Sequence, residues 1–142
     1  MVNNTPLDNL FQLVHALKRQ LHQQIEQLNL DITPMHVRVI KIINNITPCT
    51  AIDIATVLDR DKAQITRLLS TLIEKGFIIK APNPVDKRSS YLCVTDRGMA
   101  VIKKLADIDL LLQEKITHNV NTEEIALFQQ LAKQMTHNLR EQ

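Results

Sequence analysis

Between Asp59 and Gly98 the chain places a short amphipathic run directly before a charged, proline-flanked hairpin, and few folds accommodate that order. In the first part, Lys62 to Ile73, the residues Ile65, Leu68, Leu69, Leu72 and Ile73 recur at the 3.6-residue spacing of one helix face. The opposite face carries Lys62, Gln64, Thr66, Arg67, Ser70 and Thr71, with Ala63 at its start. Long donors mixed with small hydroxyls, in place of Glu–Lys pairs, suit hydrogen bonding to base edges and phosphates in a major groove. Gly76 is the residue type that closes a helix in the left-handed conformation. Phe77-Ile78-Ile79 then begins a strand. It passes through Pro82-Asn83-Pro84 to the charged tip Asp86-Lys87-Arg88-Ser89-Ser90 and returns along Tyr91 to Thr95. The loop is too long for a two-residue turn, so the pattern predicts a β-hairpin wing behind a helix-turn-helix.

Charge follows the same division. From Arg60 to Arg97 there are eight Lys and Arg against four Asp and Glu, whereas the whole chain has a net charge of only +2. Local basicity on a nearly neutral chain fits one phosphate-attracting surface on an otherwise soluble protein.

A chain of 142 residues with 44% hydrophobic content is the size of one domain and can form a core. Two glycines and 3% aromatics leave little material for β-rich turns or cofactor loops, so most of the chain is expected to be helix. No Gly-rich phosphate-binding loop and no bound cofactor is expected. Apolar runs are too short for a membrane span, and the Asn-rich start lacks the cationic region of a signal peptide, which predicts a cytoplasmic protein without a membrane partner. Cys49 and Cys93 stand 44 residues apart without a Cys-x-x-Cys or His-rich context, which argues against a disulfide scaffold or a structural zinc site. Alternation in Ser90–Thr95 places Cys93 opposite Leu92 and Val94, partly exposed.

Leu7, Leu10, Phe11, Val14, Leu17, Leu21, Ile25 and Leu28 form a heptad-like seam of a long first helix. Thr33-Pro34 reads as an N-cap and first helical proline, opening a second helix to about Ile46 that Thr47-Pro48 ends. Thr50, with Asp53 three residues on, starts a helix from Ala51 to Leu58 whose Ile52, Ala55 and Val57 or Leu58 are expected to pack inward. After Gly98 a helical pattern resumes with Met99, Ile102, Leu105, Ile108, Leu112 and Ile116. Asn121, with Glu124, opens a last helix striped by Ile125, Phe128, Leu131, Met135 and Leu139. The expected organisation is a single domain, 1–142, mainly α with a small β-hairpin wing. It consists of a winged helix-turn-helix core at 33–98 flanked by dimerisation helices at 5–30 and 99–141. The flanking helices carry more apolar surface than so small a core can cover, so a second copy of the chain is the expected partner. Leu7, Leu10, Val14, Leu21, Phe128, Leu131 and Met135 would lie between the copies.

The runs Ile65-Thr66-Arg67-Leu68-Leu69, Leu72 to Ile78, Pro84-Val85-Asp86-Lys87-Arg88 and Val94-Thr95-Asp96-Arg97-Gly98 resemble the multiple-antibiotic-resistance regulator (MarR) family. The close match covers about 40 residues, and the helices on either side are similar to that family in number and length. The resemblance implies a bacterial or archaeal transcription regulator, usually a repressor, acting as a homodimer on an inverted-repeat operator in double-stranded DNA. Under that likeness Arg67 matches the recognition-helix arginine, and Lys62, Ala63, Gln64 and Thr66 match the groove-facing start of the same helix. Asp86 and Arg88 match the wing Asp-x-Arg pair. A wing arginine can enter the minor groove, where negative potential is concentrated, while a nearby carboxylate orients its guanidinium. Ser70 and Lys87 complete the expected DNA-facing set, together with Lys80, which stands where the family often has Arg.

Family members often bind aromatic anions beside the DNA-binding core. On this likeness His15, Arg19, His36 and Arg38 would border such a pocket, a His and Arg set over an apolar cleft being suited to a carboxylate. A zinc-responsive regulator would need further histidines beside His36, whereas only His118 stands in the corresponding later helix. Peroxide-sensing relatives use a cysteine in the first helix, and residues 1–30 contain none. No nucleophile–base pair or metal set in motif context points to an enzyme. The competing function is a winged-helix module that binds protein. Such a module would usually lose the basic face that Lys62, Arg67, Lys87 and Arg88 retain here.

Overall fold

A computed structural model describes residues 4–141. Six helices and one hairpin follow in the order α1 (Pro6–Glu26), α2 (Pro34–Asn45), α3 (Ala51–Leu58), α4 (Lys62–Glu74), β1 (Ile78–Pro82), β2 (Ser90–Val94), α5 (Asp96–Ile116) and α6 (Thr122–Arg140). Contacts divide the chain into two compact units, 1–108 and 109–142, with the boundary inside α5.

Local chemistry sets the helix starts. Thr33, Thr50 and Asn121 are N-caps as expected, each accepting from the backbone N–H three residues on, and Thr5 caps α1 in the same way. In all four the third residue returns a bond to the cap's own N–H, satisfying two backbone donors that would otherwise lack helical partners. The partner of Thr33 is His36, a residue type outside the usual Glu or Gln of that motif.

In the first unit α2, α3 and α4 pack together, α2 and α3 against β2 and α4 against β1. Val39, Ile40, Ile54, Ile65, Leu72, Phe77 and Ile78 are the innermost side chains. Truncating one of these to alanine is expected to cost about 2–5 kcal/mol through lost burial and the cavity left behind. The strands are antiparallel, with Ile78 opposite Val94 and Pro82 opposite Ser90. A single bridge from Cys49 to Leu92 extends the sheet, Leu92 donating its N–H to the Cys49 carbonyl at 2.8 Å.

Three expectations are corrected. In α3 the inward residue is Ile54, fully buried, whereas Ile52 is 71% exposed and Val57 is also exposed. An eight-residue helix turns one narrow face to the core, and Ile54, Ala55 and Leu58 occupy it. The strand begins at Ile78, Phe77 being the buried link from α4. The helix expected after Gly98 begins at Asp96, with Gly98 inside its first turn, because the Thr95 hydroxyl accepts the Gly98 N–H at 3.1 Å. Its buried stripe in the first unit is Val101, Leu105 and Ile108, while Met99 is exposed.

Most of α1 lies in solvent. Leu7, Leu10, Phe11, Val14 and Leu17 are exposed, Leu21 and Leu28 are half-buried, and Ile25 is buried. In the second unit α6 buries no residue, and Phe128, Leu131, Met135 and Leu139 are exposed. No helix among the described residues is long and apolar enough to cross a membrane.

Candidate nucleic-acid interface

The turn between α3 and α4 decides how α4 is presented. Asp59 adopts the left-handed conformation, φ 51°, which its short side chain tolerates, and Asp61 then caps α4 by accepting the Gln64 N–H at 2.9 Å. With Ile65, Leu69 and Leu72 buried, Lys62, Ala63, Gln64, Thr66, Arg67 and Ser70 are all exposed. At its other end Gly76, φ 80°, turns the chain into β1.

One groove of about 460 Å³ runs between α3, α4 and the hairpin. It brings together Lys62, Thr66 and Ser70 from α4, Lys80 from β1, and Asp86 and Arg88 from the tip. Positions up to 26 residues apart thus share one basic, hydroxyl-rich surface, and its floor includes Leu69, Ile73 and Leu92. Ile52, Ser89 and Ser90 also line it and were not among the sequence candidates. The exposed Ile52 could not be found by periodicity, which assigned it to the core. Ser89 and Ser90 carried only their place in the hairpin tip.

The far flank of α4 is different. Gln64 and Arg67 line a second, more open hollow of about 300 Å³ with Met35, His36, Arg60, Leu68 and Thr71. Arg60, which entered the sequence reading only through the local charge count, also lines this hollow. His15 and Arg19 on α1 and Arg38 on α2 are exposed and do not line this hollow, so of the four expected ligand residues only His36 stands in it.

Hydrogen bonds set what each group can offer. The Thr66 hydroxyl donates to the Lys62 carbonyl at 2.8 Å, and that of Thr71 to Arg67 at 3.2 Å. Their protons are used within the helix, leaving each oxygen as an acceptor toward the exterior. At the tip, Asn83 Oδ1 accepts the N–H groups of Val85 at 3.0 Å and Asp86 at 3.2 Å. Asp86 Oδ1 accepts the Arg88 N–H at 3.0 Å and stands 3.8 Å from Arg88 Nε. These side-chain-to-backbone turns organise the loop and hold the Arg88 side chain, 97% exposed, beside the Asp86 carboxylate. An exposed pair of this kind contributes little stability, so its consequence is orientation.

His36 Nδ1 lies 3.1 Å from the Thr33 N–H and 2.8 Å from its hydroxyl, while the hydroxyl oxygen accepts the His36 N–H at 3.3 Å. Only a ring with Nδ1 unprotonated satisfies both Thr33 donors, which assigns the proton to Nε2. Burial, with a smaller contribution from the Lys75 ammonium, holds the imidazole below its usual range. Cys93 is exposed, whereas Cys49 is buried and its thiol is pushed up to about 11, by burial first and then by Asp53. Among the described residues no group of three or more His, Cys, Asp or Glu is arranged to hold a metal ion.

The family model described as "MarR family" matches residues 32–90, the stretch from the α2 cap to the start of β2. The multiple antibiotic resistance protein MarR of Escherichia coli strain K12 is 30% identical over 132 residues, covering 92% of this chain and 90% of that protein. The chain belongs to the MarR family. Its fold agrees along nearly its whole length with wild-type apo MarR from E. coli, with a TM-score of 0.80 at 28% identity over 94% of this chain and 98% of the other. Mutant E. coli MarR complexed with operator DNA gives a TM-score of 0.74 at 26% identity, covering 95% and 99% of the two chains. The mainly helical architecture with a two-stranded wing is therefore that of a MarR-family winged helix.

Proposed function

We propose that this MarR-family chain is a cytoplasmic transcriptional regulator, most simply a repressor, that binds an inverted repeat in double-stranded DNA as a homodimer. The observation that carries the reading is the convergence of Lys62, Thr66 and Ser70 of α4 with Lys80, Asp86 and Arg88 of the hairpin on one exposed groove. In the proposed pose α4 enters the major groove, where Arg67 and Gln64 reach base edges and Thr66 accepts from a base amino group. Lys62, Lys80 and Lys87 meet phosphates, and Arg88, held by Asp86, enters the adjacent minor groove. That the similar E. coli protein has been solved in complex with operator DNA supports this reading.

A homodimer accounts for the uncovered apolar faces of the two units. Leu7, Leu10, Val14 and Leu21 on α1 and Phe128, Leu131 and Met135 on α6 are the residues assigned to it. Two copies of α4 would then face DNA at a separation near one helical turn, roughly 34–36 Å, or a multiple of it.

The effector in this proposal is a small aromatic anion. His36 in its hollow, beside Arg60 and Arg67, is the supported part of the expected set, and His15, Arg19 and Arg38 are retained as its neighbours in the dimer. An effector would release DNA only to the extent that it binds the non-binding arrangement better. Fluorescence anisotropy on labelled duplex across a salt series tests the central claim. Micromolar or tighter binding that weakens steeply with salt is expected. Salt-independent binding, or none, would replace it with the protein-interaction reading.

A further inference from the structure

Lys75 is the C-cap residue of α4, and its side chain leaves the helix toward a segment 44 positions earlier in the chain. Its Nζ donates to the Asp31 carboxylate Oδ2 at 2.7 Å and to the Asp31 carbonyl at 2.8 Å. One ammonium therefore grips both the side chain and the backbone of a single residue. Asp31 lies in the connection from α1 to α2, where it and Asn29 have φ of 54° and 52°, a left-handed bend that Asn and Asp tolerate better than other side chains. The Lys75 side chain is 28% exposed and that of Asp31 is 95% exposed.

A pair so open on one side adds little to stability. What it does supply is geometry. The start of α4 is capped locally by Asp61, and its end is joined to the wing through Gly76. Neither tether refers α4 to α1. The Lys75–Asp31 grip does, because Asp31 stands in the α1–α2 connection, five residues beyond the end of α1. α4 also packs on α2, so the grip lies where α4 meets the segment that joins α1 to α2.

We propose that Lys75 and Asp31 are positioning residues for operator recognition, holding the end of α4 against the α1–α2 connection and thereby setting the half-site separation that the dimer reads. This rests on the DNA-binding dimer proposed above. Neither residue touches bases in that pose, so the half-site sequence is read by other side chains.

The test is in vitro selection from a random-sequence duplex pool with the full-length wild type, Lys75→Met, Lys75→Arg and Asp31→Asn. Wild type is expected to enrich an inverted repeat of one half-site separation. Lys75→Met and Asp31→Asn are expected to enrich the same half-sites over a broader range of separations. On the wild-type sequence with one base pair inserted at its centre, their penalty should be smaller than that of wild type by roughly 2- to 30-fold. Lys75→Arg, which keeps the cation, should retain the single separation. A wild-type separation preference in both Lys75→Met and Asp31→Asn overturns the inference, even if either has a lower melting temperature or weaker overall binding. A changed half-site sequence overturns it too, since that marks a base contact. A wild type that enriches nothing defeats the DNA-binding reading itself, and the two failures are thereby distinguished.

Discussion

The backbone of Gly98 lies so close to the Phe77 carbonyl that a Cβ on residue 98 would stand 2.3 Å from that oxygen and 2.5 Å from Val94 Cγ1. Phe77 links α4 to the hairpin and Gly98 is in the first turn of α5. The carbonyl also accepts the Thr95 N–H at 3.1 Å, and the Thr95 hydroxyl donates to Gly76 at 2.7 Å. The wing is thus tied to α4 by contacts that admit only a hydrogen at residue 98. Gly98→Ala should destabilise the fold by about 1–3 kcal/mol, since neither a backbone oxygen nor a packed valine can yield cheaply. Thermal denaturation checks this, and a melting temperature equal to wild type would refute the close approach.

Arg67→Ala should leave the melting temperature unchanged, because the side chain is exposed and α4 packs through Ile65, Leu69 and Leu72. Binding to a selected operator should weaken by about 1–3 kcal/mol. Unaltered affinity in a folded variant would remove α4 from the base-reading role.

Replacing Arg88 by alanine removes a cation from the wing tip, and the slope of log affinity against log salt should become shallower by about one unit. Asp86→Ala should reproduce part of the loss in affinity while leaving the slope near wild type, since the cation remains and only its orientation is lost. Titrations at four or five salt concentrations separate the two outcomes. A wing that does not contact DNA would leave both variants like wild type.

Acid should weaken the fold through His36. Its folded-state pKa lies below the ordinary 6.5, so the contribution is complete above about 6.5 and is lost as pH falls toward the folded value, the unfolded chain taking up the proton first. Protonating Nδ1 would also remove the acceptor for Thr33. Melting temperatures between pH 7.5 and 5 should therefore decline more in wild type than in His36→Gln, whose amide oxygen can still accept. Parallel declines would show that His36 is not the group responsible. Asp31, held below the usual carboxylate range by Lys75, acts only in a lower pH window.

The dimer is checked by sedimentation equilibrium at micromolar concentration, where a mass twice the 16.2 kDa of one chain is expected. Removing residues 1–28 should yield monomers that hold isolated half-sites poorly, because the α1 seam is gone. A 16.2 kDa species for the full chain would overturn both the dimer and the half-site spacing.

What the sequence by itself determined is local. Thr33, Thr50, Asn121 and Gly76 mark helix ends because caps and left-handed turns are satisfied by neighbours within a few residues. The α4 pattern was legible because a 13-residue helix sorts its faces by periodicity alone, and the motifs that continue into the wing were enough to name the family. Ile52 and Val57 were misplaced because in so short a helix as α3 periodicity leaves several faces open, and only packing against α2, α4 and β2 selects Ile54. Tertiary structure alone decided which polar residues share a surface. It set Lys80 beside Lys62 and Arg88, put Arg60 beside His36, and carried Lys75 across to Asp31. Those encounters depend on how elements distant in sequence pack, and no spacing along the chain encodes the direction in which a buried helix turns its remaining face.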